Sequence, residues 1–140
     1  MKQIFLLSIL LLVLLGACQG KPAEIAGEKV PVNGGAYTNV NADELNAILR
    51  NKDFIFINVH IPLEGYISGT DLSIAYDQIT DPSNLALLPV DKNAKIVLYC
   101  RSGRMSTIAA EALVKQGYTN IWNLTGGMAD WESVGYELEK

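Results

Sequence analysis

The sequence predicts an α/β domain in which a central parallel sheet is flanked by helices. Three observations carry that prediction. A continuous apolar, β-branched run of strand length stands at 54–59, and further strand-length segments stand at 95–99 and 119–124. Segments with apolar side chains at helical spacing lie before, between and after them. The 140 residues are 49% hydrophobic and 19% charged, the size and balance of one globular domain rather than of a disordered chain. Unbroken apolar runs suit strands covered on both faces, which a parallel sheet with crossover helices provides.

At the N-terminus Lys2 precedes residues 4–15, twelve residues of which only Ser8 is polar. As a helix this stretch would rise about 18 Å against a hydrocarbon core of roughly 30 Å, so it reads as a secretory signal rather than a span. It ends in Leu15-Gly16-Ala17-Cys18, which resembles the lipobox of bacterial lipoproteins. There the small residues fit the peptidase groove and the cysteine thiol takes the lipid. Residues 1–17 are therefore expected to be a lipoprotein-type signal peptide, with an ordinary signal peptide and a chance cysteine as the alternative. Lipid on Cys18 would anchor the chain to a bacterial membrane on its extracytoplasmic, periplasmic side. Gln19 rather than Asp after the cysteine favours the outer membrane in a Gram-negative cell. Residues 18–36 hold Gly20, Pro22, Gly27, Pro31, Gly34 and Gly35 with few large apolar groups, and are expected to form a flexible tether. The folded domain is then expected over 37–140.

Within that domain Asn41 caps a helix, with Glu44 three residues on and Leu45, Ile48 and Leu49 on one face. Residues 54–59 form the first buried strand. Asp81-Pro82 opens a short helical segment through Leu85, Leu87 and Leu88, closed by Pro89. The strand at 95–99 runs directly into Cys100-Arg101-Ser102-Gly103-Arg104. A helix follows over about 105–116, with Ile108, Ala109, Ala112 and Leu113 inward and Gly117 as its stop. Residues 119–124 are the third strand, after which Gly126-Gly127 turns into a short helix over 128–134.

In such a sheet the working site lies beyond the carboxyl ends of the strands, in loops that lead into helices. Cys100 lies at that end of its strand, and so does the segment 58–60. If Cys18 carries lipid, Cys100 is the remaining one of 2 cysteines and no intramolecular disulfide forms. A short glycine-containing turn entering a helix aims successive backbone N–H groups inward, at the positive end of the helix dipole. With Arg101 and Arg104 beside it, a Cys100 thiolate there is expected to be more acidic than a free thiol, whose pKa is about 8.5. Such a loop makes a nucleophile whose pocket also accepts an oxyanion or a terminal sulfur. Thiol phosphatases carry an arginine clamp six residues after the cysteine; Ser106 occupies that place here, which argues against phosphatase chemistry.

The stretch Tyr99-Cys100-Arg101-Ser102-Gly103-Arg104-Met105-Ser106 resembles the active-site loop of the rhodanese domain. Leu124-Thr125-Gly126-Gly127-Met128-Ala129-Asp130-Trp131, with Gly135-Tyr136, resembles its C-terminal signature. A looser match joins Asn58-Val59-His60, Glu64 and Gly65-Tyr66-Ile67-Ser68-Gly69-Thr70 to the family's Asp-Val-Arg, Glu and Gly-His-Ile-x-Gly-Ala elements. The likeness covers about 37–138. It implies a single rhodanese-like domain that moves sulfane sulfur from a donor such as thiosulfate to a thiol or cyanide, through a persulfide on Cys100. In that reading Cys100 is catalytic, and Arg101, Ser102, Gly103, Arg104, Met105 and Ser106 form the loop that binds substrate and persulfide. The loop amides would stabilise the persulfide, while Arg101 and Arg104 would draw in an anionic donor. Asn58 and His60 replace the usual Asp and Arg, and Met105 stands where a polar or basic residue is frequent. These departures reshape the pocket entrance and leave the nucleophile in place.

His60, the 1 histidine of the chain, is expected at that entrance, as a proton relay, as a group that steers an anion, or as a structural stand-in for the family's arginine. Ser102 and Ser106 are expected to cap the following helix, Glu64 to hold loop amides, and Trp122 and Trp131 to pack. One histidine and one free cysteine make no metal site, and no cofactor is implied. With 11 Lys plus Arg against 15 Asp plus Glu the net charge is −4, which argues against a nucleic-acid partner. The expected partners are a small sulfur-donor anion, a thiol or protein sulfur acceptor, and the membrane through Cys18. Two classes of function stay open: a sulfurtransferase that turns over, and a non-turnover sulfur carrier or partner-binding module.

Overall fold

The computed structural model describes residues 24–140; the expected signal peptide at 1–17 and the expected lipidation site Cys18 lie outside the described residues. The elements are β1 (Glu28–Val32), β2 (Gly35–Val40), α1 (Ala42–Leu49), β3 (Ile55–Asn58), β4 (Leu72–Ser73), α2 (Pro82–Leu85), β5 (Ile96–Tyr99), α3 (Arg104–Lys115), β6 (Ile121–Leu124) and α4 (Gly127–Ser133). The strands form one sheet in the order β1-β2-β6-β5-β3-β4. All neighbours run parallel except β1 and β2, which pair antiparallel. This is the predicted α/β architecture, a mostly parallel sheet with helices on both sides.

Every residue of β5 and β6 is buried, as strands covered on both faces require; β6 carries one polar residue, Asn123, whose Nδ2 donates to Asn39 Oδ1 at 2.9 Å. Alternate side chains serve two cores. Ile57, Ile96, Leu98, Cys100 and Ile121 face one core with Ala109, Ala110, Leu113 and Val114 of α3. Phe56, Val97, Tyr99, Trp122 and Leu124 face the other, with Leu45 of α1 and with Met128 and Trp131 of α4. The tryptophans therefore pack, as expected. Helix α1 begins with the predicted capping box: the Glu44 amide donates to Asn41 Oδ1 and the Asn41 amide donates to Glu44 Oε2, both at 2.9 Å.

Three expectations are corrected. Residues 28–36 do not belong to a tether: β1 and β2 form a hairpin whose inner strand lies on β6. Its turn is Asn33-Gly34, with Gly34 at φ 96°, and Asn-Gly between alternating apolar residues is a hairpin signal that the glycine and proline count concealed. Pro31 is tolerated because β1 is an edge strand. Second, the inward stripe of α3 is Ser106, Ala109, Ala110, Leu113 and Val114, while Ile108 is 41% exposed. The stripe keeps helical spacing, but its first member is a polar residue, which shifted the expected face. Third, α2 stops at Leu85 and leaves Leu87 exposed.

Tyr99 ties the sheet to the loop before β4. Its buried hydroxyl accepts the Ile67 amide at 3.1 Å and lies 2.7 Å from Thr70 Oγ1. Burial pushes its pKa above the ordinary 10.0. The folded state thus keeps the phenol proton at pH values where the unfolded chain releases it. This contribution is complete below pH 10.0 and is lost as pH rises through the folded pKa. Tyr99→Phe is expected to cost about 1 kcal/mol near neutrality and to reduce the alkaline loss of stability, measured by urea unfolding from pH 7 to 11. An unchanged alkaline slope would contradict this role.

Candidate active site

Strands β3 and β5 end side by side, with Asn58 opposite Tyr99 and the Val59 amide donating to the Tyr99 carbonyl at 2.8 Å. Cys100 follows at the carboxyl end of β5, where the sequence placed it, and Arg101, Ser102 and Gly103 lead into α3. The cysteine is 1% exposed and packs with Val59 and Ala109. Its Sγ accepts the Gly103 amide at 3.0 Å and lies 3.4 Å from Ser106 Oγ. Gly103 takes the left-handed conformation, φ 93°, and its chain neighbour Arg104 opens the 12-residue α3. The sulfur therefore sits over the first turn of a helix, where amide groups lack intrahelical partners and the dipole favours negative charge.

Ser106 is fully buried and donates to the Gly103 carbonyl at 3.2 Å. With its proton spent there, its oxygen can accept a thiol S–H. Turned towards the sulfur instead, the same hydroxyl serves a thiolate or persulfide anion. Neither Ser102 nor Ser106 caps α3 through its side chain, contrary to expectation; Gly103 holds the cap position. Met105 is half-buried against the core that contains Cys100, so an apolar side chain at this place is used for packing.

A second helix holds the loop from behind. The amides of Met128 and Ala129, in the first turn of α4, donate to the carbonyls of Cys100 and Arg101 at 2.8 and 2.9 Å. Gly127 makes this approach sterically feasible: a methyl there would stand 2.3 Å from the Cys100 carbonyl oxygen, and its φ is 61°. Gly103 and Gly126 meet in the same way, a methyl on Gly103 standing 3.1 Å from the Gly126 nitrogen. The two glycine-rich motifs are thus two halves of one contact.

On the β3 side, Asn58 is buried and satisfied by both ends of its amide: Nδ2 donates to the Gly65 carbonyl at 3.0 Å and Oδ1 accepts the His60 amide at 2.9 Å. An aspartate would lack the first donor, which gives this departure from the family pattern a physical reason. His60, two residues beyond β3, is 9% exposed, with Nε2 3.2 Å from Glu64 Oε2 but off the hydrogen-bonding direction. Glu64 does not hold loop amides; it lies 3.8 Å from Arg101 Nε. Arg101 in turn donates from Nη1 to Glu132 Oε2 at 2.7 Å. One of the two cations expected to draw in an anionic donor is thus already paired with two carboxylates. Glu132 had no signal in the sequence beyond its place in a helix. Arg104 is exposed and has no ion-pair partner among the described residues; with Ser102, Gly103, Thr107 and Thr125 it borders a hollow of about 460 Å³. A hollow of about 790 Å³ lies against α1, Lys95 and Trp122 and shares no residue with the loop. Among the described residues no cluster of three or more His, Cys, Asp or Glu suits a metal ion, and no helix is long and apolar enough to cross a membrane.

A cysteine loop at the carboxyl end of a parallel strand, backed by a second glycine-led helix, defines a small α/β domain built around one thiol. The chain belongs to the rhodanese-like domain family, whose model matches residues 41–134. It is similar to a sulfurtransferase of Allochromatium vinosum, 32% identical over 107 residues, covering 71% of this chain and 92% of that protein. It is also similar to the tRNA uridine(34) hydroxylase of Erwinia tasmaniensis, 31% identical over 101 residues, covering 69% of this chain but 28% of the hydroxylase. Among solved structures, the rhodanese-like domain protein of Staphylococcus aureus superposes with a TM-score of 0.58 at 29% identity, covering 73% of this chain and 98% of that one.

The loop contact has a direct test. Gly127→Ala is expected to destabilise the domain by about 2 kcal/mol or more, through both the clash and the left-handed backbone. Gly135 has φ 98° and open space around it, so Gly135→Ala isolates the backbone part, about 1 kcal/mol. Equal losses in the two variants, read from denaturant midpoints, would contradict the close packing described.

Proposed function

We propose that the protein is a sulfurtransferase that carries sulfane sulfur on Cys100, from a donor such as thiosulfate to a thiol or cyanide. The observation that supports this best is the sulfur itself, held by the Gly103 amide at 3.0 Å beside Ser106 Oγ over the N-terminus of α3. The Cys100 thiolate attacks the outer sulfur of the donor. A new S–S bond forms as the donor's own S–S bond breaks, and the electron pair leaves on sulfite or on a thiolate. The acceptor then attacks the terminal sulfur and releases the Cys100 thiolate. Donors on the loop and at the helix end favour the anion at each stage. Kinship with a protein named sulfurtransferase, matched over 92% of its length, agrees with this reading.

The expected lipid anchor belongs to the same proposal. It rests on Leu15-Gly16-Ala17-Cys18 and would place the domain outside the cytoplasmic membrane. Incorporation of labelled palmitate that survives Cys18→Ser would sink it.

Thiocyanate release from a sulfane-sulfur donor and cyanide tests the enzyme. The protein is expected to turn over with ping-pong kinetics, and Cys100→Ser to stay folded while losing at least about 10³-fold in kcat/KM. One sulfur loaded per chain without turnover would replace the enzyme by a carrier that hands sulfur to a protein partner.

A further inference from the structure

We propose that Glu64 and Glu132 set the donor specificity of the loop: by holding the Arg101 guanidinium they favour a persulfide of low charge over doubly charged thiosulfate. The proposal rests on the sulfurtransferase reading above and goes beyond it in naming the donor class.

Arg101 is the residue next to the nucleophile, and both its backbone and its side chain are tied to α4. The Ala129 amide fixes its carbonyl at 2.9 Å, and Glu132, one helical turn further on, takes its Nη1 at 2.7 Å. Glu64 lies 3.8 Å from its Nε and also faces His60 at 3.2 Å. One guanidinium thus meets two carboxylates. The hollow of about 430 Å³ that these residues border adds Glu137 and Lys140, leaving three carboxylates against two cations. Arg104, on the other flank, borders a hollow with no carboxylate among its lining residues. The loop therefore has two arginines in sequence but offers an incoming ligand only one uncommitted cation.

Charge then decides between donors. With a persulfide R–S–SH the Cys100 thiolate attacks the outer sulfur, the donor's S–S bond breaks, and its electron pair leaves on R–S⁻. The proton and outer sulfur stay on Cys100 as Cys–S–SH. With thiosulfate the same attack gives Cys–S–S⁻ and releases sulfite, but a dianion must approach a thiolate whose neighbour Arg101 is already paired with Glu64 and Glu132. Both glutamates are exposed, so their amide variants leave the core intact.

The test is the second-order rate constant for sulfur loading on Cys100, with thiosulfate and with the persulfide of 2-mercaptoethanol, in the wild type, Glu64→Gln, Glu132→Gln and the double variant. The double variant is expected to load from thiosulfate about tenfold faster, and from the persulfide within about twofold of wild type. Wild-type loading from thiosulfate should rise with ionic strength, because salt screens repulsion, and this rise should flatten in the double variant. A merely structural role would not move that salt dependence. Loading with an unchanged or lowered thiosulfate rate in the double variant overturns the role of the glutamates alone. No loading from either donor overturns the sulfurtransferase reading and this proposal together.

Discussion

Two backbone hydrogen bonds, from Met128 and Ala129 to the carbonyls of Cys100 and Arg101, are the contact on which the rest of the site depends. The loop turns the Gly103 amide to the sulfur and leaves the Cys100 and Arg101 carbonyls facing away from it, and buried carbonyls need donors. Helix α4 supplies them from its own unsatisfied first turn. One helix terminus therefore serves the sulfur and a second serves the loop that carries it. The side chain missing at Gly127 is what lets the two backbones meet, since a methyl there would overlap the Cys100 carbonyl oxygen at 2.3 Å.

The same contact orders the charges around the site. Because α4 grips the Arg101 carbonyl, Glu132 of that helix comes within reach of the Arg101 side chain at 2.7 Å. From the other side, Asn58 shapes the turn that brings Glu64 to Arg101 by accepting the His60 amide and donating to Gly65. An exposed ion pair of this kind contributes little to stability, about 0–1 kcal/mol. Its consequence is for recognition, because it determines how much positive charge the loop presents to a ligand.

Much of this was legible in the sequence. The strands of the core announce themselves as apolar runs, and β5 leads into a cysteine, so the site's position followed from the rule that ligands gather at the carboxyl ends of parallel strands. Asn41 and Glu44 wrote out the cap of α1. What the sequence concealed was tertiary. Gly34 and Pro31 look like tether residues until the hairpin turn explains the first and the edge position of β1 the second. Ser106 breaks the apolar stripe of α3, and its hydroxyl lies 3.4 Å from the sulfur. The pairing of Arg101 with Glu132 joins residues 31 apart and has no local pattern at all. Composition shows that charges are present; only the fold shows which are already engaged.

The most direct test of the account is intact-mass spectrometry of the protein after incubation with a sulfane-sulfur donor, followed by peptide mapping. A gain of about 32 Da, one sulfur atom, confined to the peptide containing Cys100 and removed by cyanide, is the expected result. A protein that stays folded and gains no sulfur from thiosulfate or from a small persulfide would contradict it, and the loop would then be a binding surface rather than a reaction site.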